Sequence, residues 1–345
     1  MPQQLREQVI DPDRIERALW GSLPRADAMY RPALAAIRHC RTMPGMMGAA
    51  LRLRRWFLFL AERGVAPAAA TRDDVEEYLA SMAHLAPSSA EAHLAHVRVM
   101  YDEALDRGIV AASPARRVRV GRYAPPVVVA LELEQARALL AGIEADAADP
   151  SYRLAARRDG AIFALLLSAG PRSGELRGIT WGDLELDAEV PSVRIYGKGR
   201  RHRVIRLPAV ALAALRRYRD ELLAAGIGLA PDDALAIGLS ARDLAGLRDP
   251  AARPLRSMSR EALYMLVRDR LRAIGVEGPR VGSHRLRATA ATLAYLASAD
   301  VVAIQQMLGH ERLDTTRRHY ILPADSLAST PADRVALWPA DGEGR

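Results

Sequence analysis

Cysteine is almost missing from this sequence: Cys40 is the single one in 345 residues. One thiol excludes an internal disulfide and any thiolate-rich metal site, so Cys40 reads as a core residue. Long hydrophobic runs are missing too. No apolar stretch reaches the roughly 18 to 20 residues that span a bilayer, and the opening MPQQLREQVIDPDR has no signal-peptide-like apolar segment, so no membrane partner and a cytoplasmic location are expected. Several enzyme signatures are also lacking. The one Gly-Lys pair is followed by Gly199 rather than Ser or Thr, which excludes a P-loop, and neither HExxH nor GxSxG occurs. Lysine itself is nearly absent, since of the 49 basic residues only Lys198 is lysine. What is present is positive charge. A formal net charge of +8 and a pI near 10.0 suit a polyanionic partner, although a surplus of this size also occurs in proteins that bind no nucleic acid.

The chain is long enough for two domains, each with its own core. Residues 1–40 read as a mixed lead-in whose helices the pattern does not place. Over residues 46–63, Leu51, Trp56, Leu58 and Leu60 are interspersed with Arg52, Arg54 and Arg55, the pattern of a basic amphipathic helix stopped by Gly64. Thr71 with Asp74 and Ser88 with Glu91 read as capping boxes that open two more helices, the second closed by Gly108. Residues 41–116 are thus expected to form a helical domain. The stretch ASPARRVRVGRYAPPVVV is basic and bracketed by prolines, and it supplies a linker at 117–127. Beyond it, LELEQARALLAGIEA and RLAARRDGAIFALLLSAG read as helices, the second stopped by Gly170. PSVRIYGKGRRHRVIRLP reads as a β-hairpin with Lys198 at its tip. Helical patterns then continue to Tyr320. The second domain, 128–322, is therefore expected to be mixed α/β, mainly helical with a small sheet, followed by a tail at 323–345.

Four motifs follow one another in the second domain: SAGPRSGELRGITWGDL, the hairpin lysine, SHRLRATAATLAYL and QQMLGHERLDTTRRHY. In this order they resemble the tyrosine recombinase (phage integrase) family, with a two-domain architecture like that of the Xer members. In that family an arginine after a helix-ending glycine, a hairpin lysine, a His-x-x-Arg pair, a Leu-Gly-His and a downstream tyrosine converge on one phosphate. The resemblance covers residues 131–320, and the N-terminal helices are similar to the family's core-binding domain. It implies the catalytic set Arg172, Lys198, His284, Arg287, His310 and Tyr320.

Each assignment also has a chemical reading. Phosphodiester transfer needs cations on the non-bridging oxygens, and the planar guanidinium groups of Arg172 and Arg287 suit that task. Glu175, three residues after Arg172, either orients it or is a helix N-terminal acid stabilised by the macrodipole; both readings stand. His284 and Arg287, three apart, share a helix face with Ala288 and Ala291. His284 can assist deprotonation of the nucleophile or hydrogen-bond the phosphate. Many relatives have a second histidine where this chain has Ala288. His310 follows Leu308-Gly309, where the glycine lets the backbone turn; it is either a phosphate ligand or a turn histidine. Arginine is a poor proton donor, so Lys198 is the candidate acid for the 5′-oxygen.

Tyr264 and Tyr295 lie in apolar helical patterns and read as core residues. Tyr320 instead follows Arg317, Arg318 and His319, a cationic setting that favours a phenolate. Many relatives place the tyrosine nine residues after the histidine of Leu-Gly-His, which here falls on His319, but ten-residue spacing also occurs and Tyr320 is retained. Zinc on His202, His284, His310 and His319 is the alternative histidine reading, and the lack of any cysteine beyond Cys40 or of a suitably spaced carboxylate argues against it.

The resulting expectation is a site-specific DNA recombinase that cleaves and rejoins strands through a 3′-phosphotyrosyl link on Tyr320, with no cofactor and no metal. Its partners would be double-stranded DNA and further copies of itself, as a tetramer on two paired sites associated with the nucleoid. Val335, Ala336, Leu337 and Trp338 in the tail would dock on a neighbouring protomer or on their own domain. A relaxing enzyme like the type IB topoisomerases and a catalytically silent DNA-binding protein are the competing readings.

Overall fold

The computed structural model describes residues 12–19, 22–40, 42–121, 128–197, 202–239, 247, 254–278 and 281–309. The chain divides into two compact units, residues 1–126 and 127–345.

The N-terminal unit is helical: α1 (Pro12–Leu19), α2 (Tyr30–Arg38), α3 (Met43–Glu62), α4 (Arg72–Ala80) and α5 (Pro87–Asp106). Both α1 and α2 fall within the stretch in which the pattern places no helix. Ile15, Leu19, Met29, Ala33 and Ile37 nevertheless enter the unit's core. In α3 the buried positions are Met46, Ala49, Ala50, Leu53, Trp56, Phe57 and Leu60, the i, i+3, i+4, i+7, i+10, i+11, i+14 stripe of a core-facing helix. The apolar face expected from the sequence is therefore half right: Trp56 and Leu60 turn inward, but Leu51 and Leu58 are exposed among the arginines. Trp56 anchors the core with its ring centroid 5.0 Å from Tyr78 and 6.3 Å from Tyr101, both edge-on.

Local signals fared unevenly here. Thr71 and Asp74 form the expected reciprocal capping box at α4. The box expected of Ser88 and Glu91 does not form, because the N-cap is Ala86, two residues earlier, with Pro87 as the first helical residue, where a missing N–H costs nothing. Glu91 pairs instead with Arg98 at 2.9 Å. Arg98 also donates to the carbonyls of Ala115 (3.4 Å) and Val118 (2.6 Å), fastening that segment onto α5. With Ala115 and Val118 buried, Arg116, Arg117 and Arg119 remain exposed.

The C-terminal unit contains α6 (Leu133–Asp146), α7 (Arg153–Ser168), the single-turn α8 (Ser173–Leu176), β1 (Leu184–Glu185), β2 (Ser192–Tyr196), β3 (His202–Arg206), α9 (Ala209–Ala224), α10 (Arg260–Ala273), α11 (Ser283–Leu296) and α12 (Val301–Leu308). It is mainly helical with one small sheet, as expected. Residues 161–166 of α7 are all buried, the mark of a helix surrounded by its neighbours, and α6, α9 and α11 pack around it.

The three strands are antiparallel in the order β1-β2-β3, with Val193 opposite Ile205 and Ile195 opposite Arg203. Val193 and Ile195 are buried, so alternation puts Ile205 and Arg203 on the inward face of β3. A charged side chain facing inward needs a partner, and that partner lies in the candidate site.

Away from it, Asp159 on α7 is fully buried and accepts from two arginines. Arg158 reaches one carboxylate oxygen at 2.7 Å and Arg270 of α10 the other at 2.8 Å. Arg270 also pairs with Asp146 and bonds the Tyr152 hydroxyl at 3.1 Å, joining α6, α7 and α10.

Candidate active site

Gly170 ends the α7 segment with φ +55°, a left-handed backbone that side chains disfavour. A methyl group there would also lie 2.8 Å from the Leu308 side chain and 3.5 Å from Ala290. The ends of α7 and α12 and the middle of α11 therefore meet at this glycine, and the turn it makes delivers Pro171 and Arg172.

Arg172 caps α8, and its side chain is 44% exposed. Glu175, with a side chain only 7% exposed, accepts from the Arg172 backbone N–H at 3.0 Å and from its guanidinium Nη1 at 2.7 Å. The two readings of Glu175 are thus both realised, since it closes the helix start and fixes the arginine. A second guanidinium reaches the same carboxylate, Arg203 Nη2 at 2.8 Å from Oε2. Burial alone would raise the Glu175 pKa, but the hydrogen bonds from Arg203 and Arg172 outweigh it and hold the carboxyl below its ordinary value.

His284 and Arg287 lie in the first two turns of α11, which Gly282 opens. Arg287 is 1% exposed and donates to the carbonyls of Gly170 and Leu308, the latter at 2.7 Å. It thus binds two helix-terminal carbonyls, where partial negative charge gathers, and ties the end of α7 to the end of α12. His284, an exposed residue, feels the positive charges of Arg287, Arg172 and Arg260. Partial desolvation, followed by those three charges, lowers its pKa and favours a neutral ring at pH 7. Arg172, His284 and Arg287 therefore occupy one neighbourhood.

Arg203 is the residue that sequence reasoning missed. Besides bonding Glu175, its Nε donates to the Met307 carbonyl at 2.8 Å. Its signal was available: once Val193 and Ile195 face inward, the hairpin register puts an arginine where an apolar residue belongs. Arg260, at the start of α10, is a second unanticipated cation, exposed and close enough to act on His284.

The remaining expected residues, Lys198, His310 and Tyr320, lie outside the described residues. Their described neighbours are Gly197 after β2, and Gly309, which ends α12 in the left-handed conformation with φ +66°. Tyr264 departs from its expected core position: it is 52% exposed on α10 and faces Gly282, because the buried stripe of that helix is Leu263, Val267 and Leu271. Tyr295 is half-buried against the small cluster of Ala291, Ile304 and Leu308.

A surplus of guanidinium groups around one buried carboxylate and a neutral imidazole suits a bound phosphodiester: charge stabilisation from the arginines and a proton acceptor beside them. Comparison with known proteins agrees. Residues 130–326 match the phage integrase family. The tyrosine recombinase XerC of Mycobacterium tuberculosis is 30% identical over 270 residues, covering 77% of this chain and 83% of that protein. The tyrosine recombinase XerD of Chlorobaculum tepidum is 26% identical over 270 residues, covering 77% and 81%. The fold is shared with the XerH site-specific recombinase bound to a palindromic difH substrate in a post-cleavage complex, at a TM-score of 0.68 and 17% identity over 96% of this chain and 98% of that one. A lambda integrase dimer bound to a COC′ core site matches at a TM-score of 0.61 and 14% identity, over 88% and 78%. By its matched domain, its identity to relatives and the order of its motifs, the chain belongs to the phage integrase family of tyrosine recombinases.

Proposed function

We propose that this chain is a site-specific recombinase that breaks and rejoins double-stranded DNA through Tyr320. The observation that carries the reading is the grouping of Arg172, His284 and Arg287 where α7, α11 and α12 meet, with Arg172 fixed by Glu175 yet open to solvent. In this reading the Tyr320 oxygen attacks the scissile phosphorus, a phosphotyrosyl bond to the 3′ side forms and the bond to the 5′-oxygen breaks. His284, neutral before DNA binds, takes the phenol proton or donates to a phosphate oxygen once charged. Lys198 gives the departing 5′-oxygen its proton, and the 5′-hydroxyl of a partner strand reverses the sequence. Arg172 and His310 bond the non-bridging oxygens, while Arg287 adds charge from beneath and holds the helix ends together. The phosphate bond energy is kept in the protein–DNA link, so neither a nucleotide nor a metal has to enter the step.

The N-terminal unit, around residues 41–116, supplies a second DNA surface in this account. Arg54 and Arg55 on the open face of α3, with Arg116, Arg117 and Arg119, are exposed and suited to backbone phosphates. Strand exchange needs two sites, so the active form is a tetramer on paired DNA, with the tail at 323–345 as the inter-protomer contact. A nicked suicide substrate tests the chemistry: the parent should trap a covalent complex, and Tyr320→Phe should bind equally well and trap none. An adduct formed by Tyr320→Phe would move the nucleophile elsewhere, with His319 the first alternative.

A further inference from the structure

We propose that Arg203 is a positioning residue that ties Glu175, and through it Arg172, to the last turn of α12; the inference rests on the function proposed above. Three contacts carry it. Arg203 is 14% exposed, and its Nη2 bonds Glu175 Oε2, the oxygen that also receives the Arg172 amide. Its Nε bonds the Met307 carbonyl in the last turn of α12. It also underlies Gly309, where an added methyl group would stand 2.9 Å from Arg203 Nη1 and 3.2 Å from its Cζ.

One planar group thus links β3, α8 and the residue immediately before His310. The geometry asks specifically for arginine. Nε and Nη2 point along different directions of a rigid fork, so one side chain satisfies a carboxylate and a carbonyl together, whereas a lysine ammonium is a point charge that must favour one. The strand pattern explains why the residue can do this: opposite Ile195 it faces inward, and only the Glu175 charge makes that burial tolerable. Glu175 then serves two arginines at once. With Arg203 removed, the carboxylate is left to Arg172 alone and holds it more tightly, while the α12 terminus loses its tie to the hairpin.

The test compares Arg203→Lys with the parent on the nicked substrate, alone and combined with Glu175→Gln or Lys198→Arg. Arg203→Lys should bind DNA within about twofold of the parent and cleave at least ~10-fold more slowly, since a misplacement on the order of 1 Å can cost ~100-fold. Its loss and that of Glu175→Gln should not multiply, because both break the same Arg203–Glu175 link. The losses of Arg203→Lys and Lys198→Arg should multiply. Gly309→Ala, which presses on the same guanidinium from the other side, should repeat this pattern and serves if Arg203→Lys folds poorly. Normal cleavage by both variants, or losses that multiply with Glu175→Gln, would overturn the assignment. Tyr320→Phe run in parallel separates the questions: an adduct there defeats the recombinase reading, whereas a silent Tyr320→Phe beside a normal Arg203→Lys defeats only this inference.

Discussion

Among the arginine–carboxylate networks of the C-terminal unit, the two centred on buried carboxylates, Asp159 and Glu175, are built to opposite charge rules. Around Asp159, two guanidinium groups (Arg158, Arg270) meet two carboxylates (Asp146, Asp159), and Asp159 is fully buried. Around Glu175, two guanidinium groups (Arg172, Arg203) share one carboxylate, and Arg287 donates nearby to the carbonyls of Gly170 and Leu308. A network balanced around a buried carboxylate has no surplus cation to offer an anionic ligand. An unbalanced one with an exposed member is short of one anion, and a phosphodiester supplies it. The first network therefore belongs to folding, and the second to binding and chemistry.

The largest expected effect breaks the balanced side. Asp159→Asn leaves Arg158 and Arg270 partly unpaired in the interior, and removal of one partner from a buried pair costs about 3–5 kcal/mol. Chemical unfolding should register that loss, while the cleavage rate per folded molecule stays near that of the parent. A rate that fell in the mutant at full foldedness would tie Asp159 to the site and erase the distinction.

A smaller effect sharpens the comparison by taking surplus charge to the N-terminal unit. His93 bonds the Tyr78 hydroxyl at 2.8 Å, and burial, followed by the charges of Arg52, Arg55 and His96, lowers its pKa to about 4. Between the unfolded value near 6.5 and this folded value the unfolded chain holds the extra proton, so stability falls as pH drops through that window. His93→Gln should flatten this acid slope by about 1–2 kcal/mol, the full linkage being discounted because the ring is partly solvated. An unchanged slope in urea titrations between pH 6.5 and 4 would remove His93 from the account.

Legibility in the sequence followed the range of the interaction, with the Ser88–Glu91 box, displaced by Pro87, as the exception. Thr71 with Asp74 and the two strands either side of Gly197-Lys198-Gly199 rest on contacts a few residues apart, and the capping box and the strand pair formed as read. The α3 stripe failed at Leu51 and Leu58 because apolar residues lie on two sides of that helix, and the bulk of Trp56 and Phe57 chose the buried one. Tyr264 failed likewise, displaced outward by Leu263 and Val267 on the same helix. In the site, motif order brought out Arg172, Glu175, His284 and Arg287. It did not show that Arg287 is held between the carbonyls of Gly170 and Leu308, contacts that span 117 and 21 residues. Arg203 was hidden by company, as one arginine in a basic run; only the strand register separates it from its neighbours.

Replacing the scissile phosphate by a methylphosphonate tests the central claim most directly, because it removes the negative charge that the unbalanced network is proposed to meet. Arg172→Ala should cleave an ordinary substrate on the order of 100- to 1,000-fold more slowly than the parent, the usual cost of losing one charge-stabilising donor. On the uncharged substrate, where less charge needs neutralising, the mutant should recover most of that deficit. An Arg172→Ala variant equally defective on both substrates would contradict the claim that this arginine acts through its charge on the phosphate.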